Sequence, residues 1–496
     1  TQPPSLLAIT PLSVIKDPWL QQWPGGVYNG GFTKQWLTER DNQSSAGGTS
    51  WVSERIEGGD KTCRSHLELR EQNIDFQAFG RSLVHRPALS DARDLSLLVS
   101  KIKVPVFLTG AWQDEQTGPQ FADMLGNFTS APVTRFTMFN GRHPDGYTPI
   151  ALSRWLEFLQ LFVSHQVPHI DDGLKKASPG FFEEFFGTPG LTFADDRFPQ
   201  FGPDQYDEAL AAYKAEPDVR VIFENGAGGE VPGAPVGTFD TSYPSWPPPG
   251  TTDRSFYLDA NSALSDTKPA KSGADRFAND IASGEVTVFG KKGYELMAPT
   301  WDLNWTRFAD GDSVSYVSNP FAKATVLGGP GYAELHLKVP DKDADVQVSL
   351  SIVRADGTEW HVTSGLLRLS DRMVDAKRSK GLQIERTYAE VDSKPMPADD
   401  FAVAKVALPS FAQAFRPGDR LEVTVSSPGR DFAAWAFDTI GNDGTARDVG
   451  RGGVQASRIV VGVLPGIATI PDNTPPCPSL RGQACRVFEA PATATP

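Results

Sequence analysis

Two segments of the chain carry residues suited to acid–base chemistry: VPVFLTGAWQDEQTG at 104–118, which presents Asp114, and NGRHPDGY at 140–147, which presents His143. Each follows an apolar run that reads as a buried strand, so each side chain falls in a strand-end turn. A carboxylate beside an imidazole holds one tautomer and stabilises the charged ring, and the imidazole can then take a proton from a nucleophile. Either residue alone is better read as a helix cap or a polar loop residue; placed together after successive strands they read as the acid and base of a triad. The order Asp then His calls for a serine upstream, yet no G-x-S-x-G motif occurs in the 496 residues. The expectation is a chain that holds two-thirds of a triad and does not turn over by itself.

Other residues cluster around this pair. Glu115 and Asp145 are candidates for holding a substrate ammonium, against the plainer reading of solvated carboxylates. Trp19, Trp23, Tyr28, Phe32 and Trp36 either line an acyl pocket or fill a core, with Tyr28 and Trp36 the pocket candidates. Trp112, also a pocket candidate, is expected to pack beneath the Asp114 turn. Among the histidines only His165 and His169 have ligand-like spacing, and Pro168 between them argues against one helical face. No metal and no cofactor is assigned.

The elements that must position these groups fall into two styles. Leu6 to Thr10 reads as a short strand followed by a long aromatic loop, residues 44–98 as polar helices forming a cap, and VPVFLTG, FADMLGNF and VTRFTMF as a strand, helix, strand unit. After His143, Pro149 opens a helix with Leu152, Trp155, Leu156, Leu159 and Phe162 on one face. Beyond a connector at 171–217, short alternating runs such as AELHLKV, VQVSLSIV and LEVTVSS continue to about 470 and read as a jelly-roll β-sandwich. Trp360, Trp435 and Phe437 in that region are either carbohydrate platforms or core. Carbohydrate binding by a non-catalytic β-sandwich is the competing function.

Length and composition bound the rest. The chain is too long for one core, so two or three domains are expected. Mean hydropathy is −0.31 and no run approaches a membrane span. A net charge of −14 without a basic block argues against nucleic acid as a partner. Cys477 and Cys485, in a Pro-rich tail at 471–496, are placed to close a short loop, which favours export over retention in the cytoplasm, and Cys63 is left as a lone thiol. The last residues, APATATP, read as a disordered tail. Oligomeric state is open, a homo-oligomer included.

Taken together, PPSLLAITPLS, PGGVYNGGF, the Asp114 and His143 segments, SFYLDANSALS and SFAQAFRPGDRLEVTVSSPG resemble the cocaine esterase and X-Pro dipeptidyl-peptidase (CocE/NonD) family of serine hydrolases over nearly the whole chain. The resemblance implies an α/β-hydrolase core at 1–43 and 99–170 with the helical cap inserted at 44–98, followed by a galactose-binding-like jelly roll at 218–470. It implies that Asp114 is the triad acid and His143 the general base, acting on an ester, amide or peptide through an acyl-enzyme. It also implies that the nucleophilic serine, in a G-x-S-x-x-G elbow, and an oxyanion-hole tyrosine precede Thr1. A hydrolase sheet lacking its first strands would expose an edge, and so aggregate or recruit the missing segment.

Overall fold

A computed structural model describes residues 2–44, 49–285, 288–290, 295–467 and 469–491. The apolar runs Val106–Ala111 and Thr134–Phe139 form adjacent parallel strands, with Val106 opposite Thr134 and Ala111 opposite Phe139. Every residue of the first is buried, as a strand covered on both faces requires. The 3₁₀ segment Pro119–Asn127 connects the two, and its Phe121 sits so close to Gly110 that a Cβ there would meet the ring at 2.3 Å. On the opposite face Phe107 packs on Phe158 of the helix Pro149–Leu159, with ring centroids 5.7 Å apart. Phe158, omitted from the sequence-derived stripe, is the most deeply buried residue of that helix face, while Leu152 and Leu156 turn instead toward Phe182 and Phe186 of the helix Asp172–Phe186.

Two readings of the sequence are corrected by this sheet. Val219–Phe223, read as the start of the β-rich region, pairs parallel with Thr134–Phe139, and Phe239–Tyr243 adds antiparallel to complete four strands. Local alternation cannot tell which sheet a strand joins, because its partner is set by the buried face it completes. Phe32–Ser44, read as loop, is a helix, so the helical stretch begins at Phe32 and continues through Ser50–Glu57, Lys61–Arg70 and Phe76–Ser82. The glycines and aromatics of PGGVYNGGF mask its start. Where an open sheet edge was expected, Ile9 bridges Val106 in parallel, and the amides of Phe107 and Thr109 donate to the carbonyls of Ile9 and Pro11.

Among the described residues Tyr28–Asn29 pairs with Phe437–Asp438 as a separate two-stranded sheet, and the other strands form a mixed 12-stranded sheet around Thr325–Lys338, which pairs antiparallel with both Ala402–Phe415 and Arg458–Val463. Asp345–Val353 is buried throughout, and its side chains join Trp360, Val423 and Val425 in the largest apolar core. The segment after 470 is no loose tail. Cys477 and Cys485 are bonded, with Cα atoms 6.0 Å apart, and Cys485–Val487 pairs with Thr358–Arg368. The disordered end expected for APATATP lies, from 492 onward, outside the described residues. No helix among the described residues is long and apolar enough to cross a membrane.

Candidate active site

Asp114 and His143 leave adjacent parallel strands at the same end of the four-stranded sheet, and the turn geometry brings them together. His143 Nδ1 lies 3.1 Å from Asp114 Oδ2, and the Asp114 carboxylate is 2 % exposed against 32 % for the imidazole. The same Oδ2 contacts the hydroxyls of Ser13 and Thr117, each at 2.7 Å, while Oδ1 accepts the amides of Gln116 and Thr117, each at 2.8 Å. Burial disfavours the carboxylate, but the hydrogen bond and charge of His143, the Thr117 amide and the Ser13 hydroxyl outweigh it and hold Asp114 below the usual carboxylate range. Burial also disfavours the imidazolium, and here the Asp114 hydrogen bond and charge, with Glu115 and Asp145 behind them, raise the His143 pKa above its ordinary value.

With Nδ1 committed, Nε2 is the free nitrogen of the ring, and no described side chain hydrogen-bonds it. His143 lines a cavity of about 650 Å³ whose other walls come from residues 15–37, from 74–93 and from Gln116 and Thr117, including Trp19, Trp23, Phe32, Trp36, Phe79 and Arg93. Trp36 is therefore a cavity residue. Tyr28 is not: it is buried behind Trp23, edge-on at 5.0 Å, and its hydroxyl accepts from Gln77. Trp112 is also absent from the walls, stacked between Phe121 and Trp246 at 5.7 and 5.6 Å in the core under the turn.

Glu115 and Asp145 are neither solvated nor open to a substrate. Glu115 is 2 % exposed and its Oε2 accepts the His143 amide at 3.0 Å, fixing the His143 loop to the Asp114 loop. Asp145, wholly buried, caps the turn by accepting the Arg142 amide and pairs with the equally buried Arg481 through contacts of 2.6, 2.9 and 3.0 Å. Sequence reasoning missed Arg481, although it lies inside the loop closed by Cys477 and Cys485. It also missed Ser13, within the ITPLS segment, as a partner of Asp114.

The β-domain supports both loops directly. Gln113 accepts the Gly141 amide at 3.2 Å and donates to Val362 O at 2.9 Å, and the Trp435 indole donates to Glu115 O at 2.7 Å. Asn140, ending its strand, donates to Asn225 O and Arg481 O at 2.9 and 3.1 Å. Gly482 presses on Gly141 O, where a Cβ would come within 2.4 Å, and its φ of +73° suits glycine alone. Trp360, Trp435 and Phe437 are all buried, so none offers the exposed ring a sugar platform needs. His165 and His169 do not converge: His169 bonds Asp196, and His165 lies beside Tyr206. Among the described residues no group of three or more His, Cys, Asp or Glu forms a metal-ligand cluster.

Known proteins share the fold. The chain aligns with a CocE/NonD family hydrolase from Staphylococcus aureus at a TM-score of 0.63 and 14 % identity, covering 93 % of this chain and 68 % of that one. An aminopeptidase from a marine sediment archaeon and an α-amino acid ester hydrolase align at 0.57 and 0.56, each 16 % identical and covering 93 % of this chain and 73 % of theirs. The fold is therefore that of the CocE/NonD hydrolases.

A family model, the X-Pro dipeptidyl-peptidase C-terminal non-catalytic domain, matches residues 211–441. Two proteins provisionally named serine esterases, from Mycobacterium bovis and Mycobacterium tuberculosis, are each 27 % identical over 232 residues, covering 44 % of this chain. The match spans 35 % of the length of these curated relatives. The chain thus shares the fold of a CocE/NonD hydrolase, and residues 211–441 match the X-Pro dipeptidyl-peptidase C-terminal domain.

Proposed function

We propose that this chain supplies the acid, the base, the cap and the supporting β-domain of a serine hydrolase that cleaves acyl esters or amides through an acyl-enzyme. The observation that carries the reading is the buried Asp114 carboxylate held 3.1 Å from His143 Nδ1, on a histidine that lines an apolar cavity. In this reading His143 Nε2 takes the proton of an attacking serine hydroxyl as its oxygen bonds to the substrate carbonyl carbon, and returns it to the leaving group. Water then attacks the acyl-enzyme with the same nitrogen as base. Asp114 keeps the Nδ1–H tautomer and stabilises the cation, without itself taking the proton.

The nucleophile and an oxyanion-hole tyrosine are assigned in this proposal to sequence outside these 496 residues, since no elbow motif occurs in them. Residues 44–98 act as the cap over the cavity, and a jelly roll that begins after the strand Phe239–Tyr243 and runs to about 470 belongs to the same proposal. The test is to read the coding frame upstream of Thr1, express what it encodes in front of this chain, and follow hydrolysis of a nitrophenyl ester. Turnover by the extended protein, abolished by His143→Gln and absent from the 496 residues alone, is the expected result. Serine-dependent turnover by the 496 residues alone, or turnover indifferent to His143→Gln, would overturn it.

A further inference from the structure

We propose that the cavity beside His143 receives a bulky apolar group free of any ammonium, and that Arg93 biases it toward substrates bearing a carboxylate. The inference rests on reading this cavity as the substrate site. Its volume of about 650 Å³ suits a drug-sized group, and most of its walls are aromatic or aliphatic. An ammonium entering such a site needs a carboxylate to replace its lost hydration. The one carboxylate in the lining among the described residues, Asp17, is 1 % exposed and already engaged: Oδ1 accepts the Trp19 amide and Oδ2 accepts Arg86 Nε, both at 2.8 Å. Glu115 and Asp145 lie outside the lining, committed to the His143 amide and to Arg481.

Aromatic faces are the other means of holding a cation, worth about 0.5–2 kcal/mol each when open. The indole faces, which hold a cation best, are already engaged, and the rings left open in the lining are the phenyl groups of Phe76 and Phe79. Trp19 stacks on Trp23 at 6.4 Å and meets Tyr388 at 5.1 Å, Trp23 also carries Tyr28, and the Arg40 guanidinium sits 5.3 Å over Trp36. Arg93, by contrast, lines the cavity, is exposed, and forms no ion pair. The wall thus carries an uncompensated positive charge and no uncompensated negative one. The chain's net charge of −14 does not reverse this, because charges beyond about 8 Å are screened at physiological ionic strength.

Three probes of one shape separate the contributions: 4-phenylbutanoate, 4-phenylbutanamide and 4-phenylbutylammonium, titrated against the chain by tryptophan fluorescence. The anion should bind about threefold tighter than the amide, and the amide about threefold tighter than the ammonium, the size of one partly exposed charge interaction. Arg93→Glu should reverse the order of the charged probes and leave the amide within about twofold. Phe79→Ala should weaken all three in parallel, placing them in the cavity. Ammonium binding as tight as the amide, an order indifferent to Arg93→Glu, affinities untouched by Phe79→Ala, or no binding of any probe would each overturn the inference. Since the titration needs no turnover, its failure is distinct from failure of the acid–base reading.

Discussion

Replacing Arg481 by methionine should unlock the loop that carries His143. Arg481 and Asp145 are both fully buried, and Arg481 makes three contacts with the carboxylate plus a hydrogen bond to Gly233 O at 2.7 Å. Without the guanidinium, Asp145 keeps only the Arg142 amide at 3.0 Å and Asn225 Nδ2 at 3.5 Å, and its charge stays out of water. Breaking a buried pair in this way costs about 3–5 kcal/mol, mostly because the surviving charge is stranded. At about 2–4 °C per kcal/mol for a domain of this size, the melting temperature should fall by about 6–20 °C. The assay is thermal unfolding of Arg481→Met, Asp145→Ala and the double variant at neutral pH. The double variant should lose much less than the sum of the two singles, because it leaves no stranded charge. A single-variant loss under about 2 °C, or additive losses in the double, would refute the argument that this pair locks the loop.

Two further outcomes follow from the same geometry. Asp114→Asn should lower the His143 pKa, read by NMR titration, since burial then acts on the imidazolium without its carboxylate. His143, raised when folded, contributes stability that is complete below its unfolded value and lost as pH rises through the folded one; Asp114, lowered when folded, contributes above its unfolded value and loses it as pH falls. The stability gap between the native chain and Asp114→Asn should therefore be widest between about pH 4 and pH 6.5 and narrow on either side, which denaturant titrations across pH would check. Replacing Cys477 and Cys485 by serine opens a short loop, for which chain entropy gives about 2.5 kcal/mol, measurable as a lower unfolding midpoint.

Some of this architecture is legible in residues close together in the chain. VPVFLTG and VTRFTMF announce their strands by apolar content, and Pro149 marks a helix start, because those signals are local. The proximity of Asp114 to His143 follows once the two strands are taken as parallel neighbours, and Cys477 with Cys485 can be read from spacing. What the sequence conceals depends on distant partners. Glu115 and Asp145 look like solvated carboxylates until the His143 loop and Arg481 are folded against them, and the latter pairing spans 336 residues. Val219–Phe223 has the alternation of any strand, and only the apolar face left open beside Thr134–Phe139 decides which sheet it joins. The helix Phe32–Ser44 is mostly polar and partly exposed, so its pattern carries little periodic signal.

The distance in sequence between Asp145 and Arg481 is also a distance in time. A ribosome adding about 5–20 residues per second needs about 20–70 s to pass from one codon to the other. By residue 243 all four strands of the sheet have been synthesised, yet Asp145 has no Arg481 guanidinium to face, and Gly482 does not press on Gly141. The cysteine-closed loop arrives after every one of these strands, as a latch. A nascent chain released between residues 243 and 481 would carry every strand of that sheet and still lack a fastened His143 turn, so the loop's arrival times the assembly of the Asp114–His143 pair.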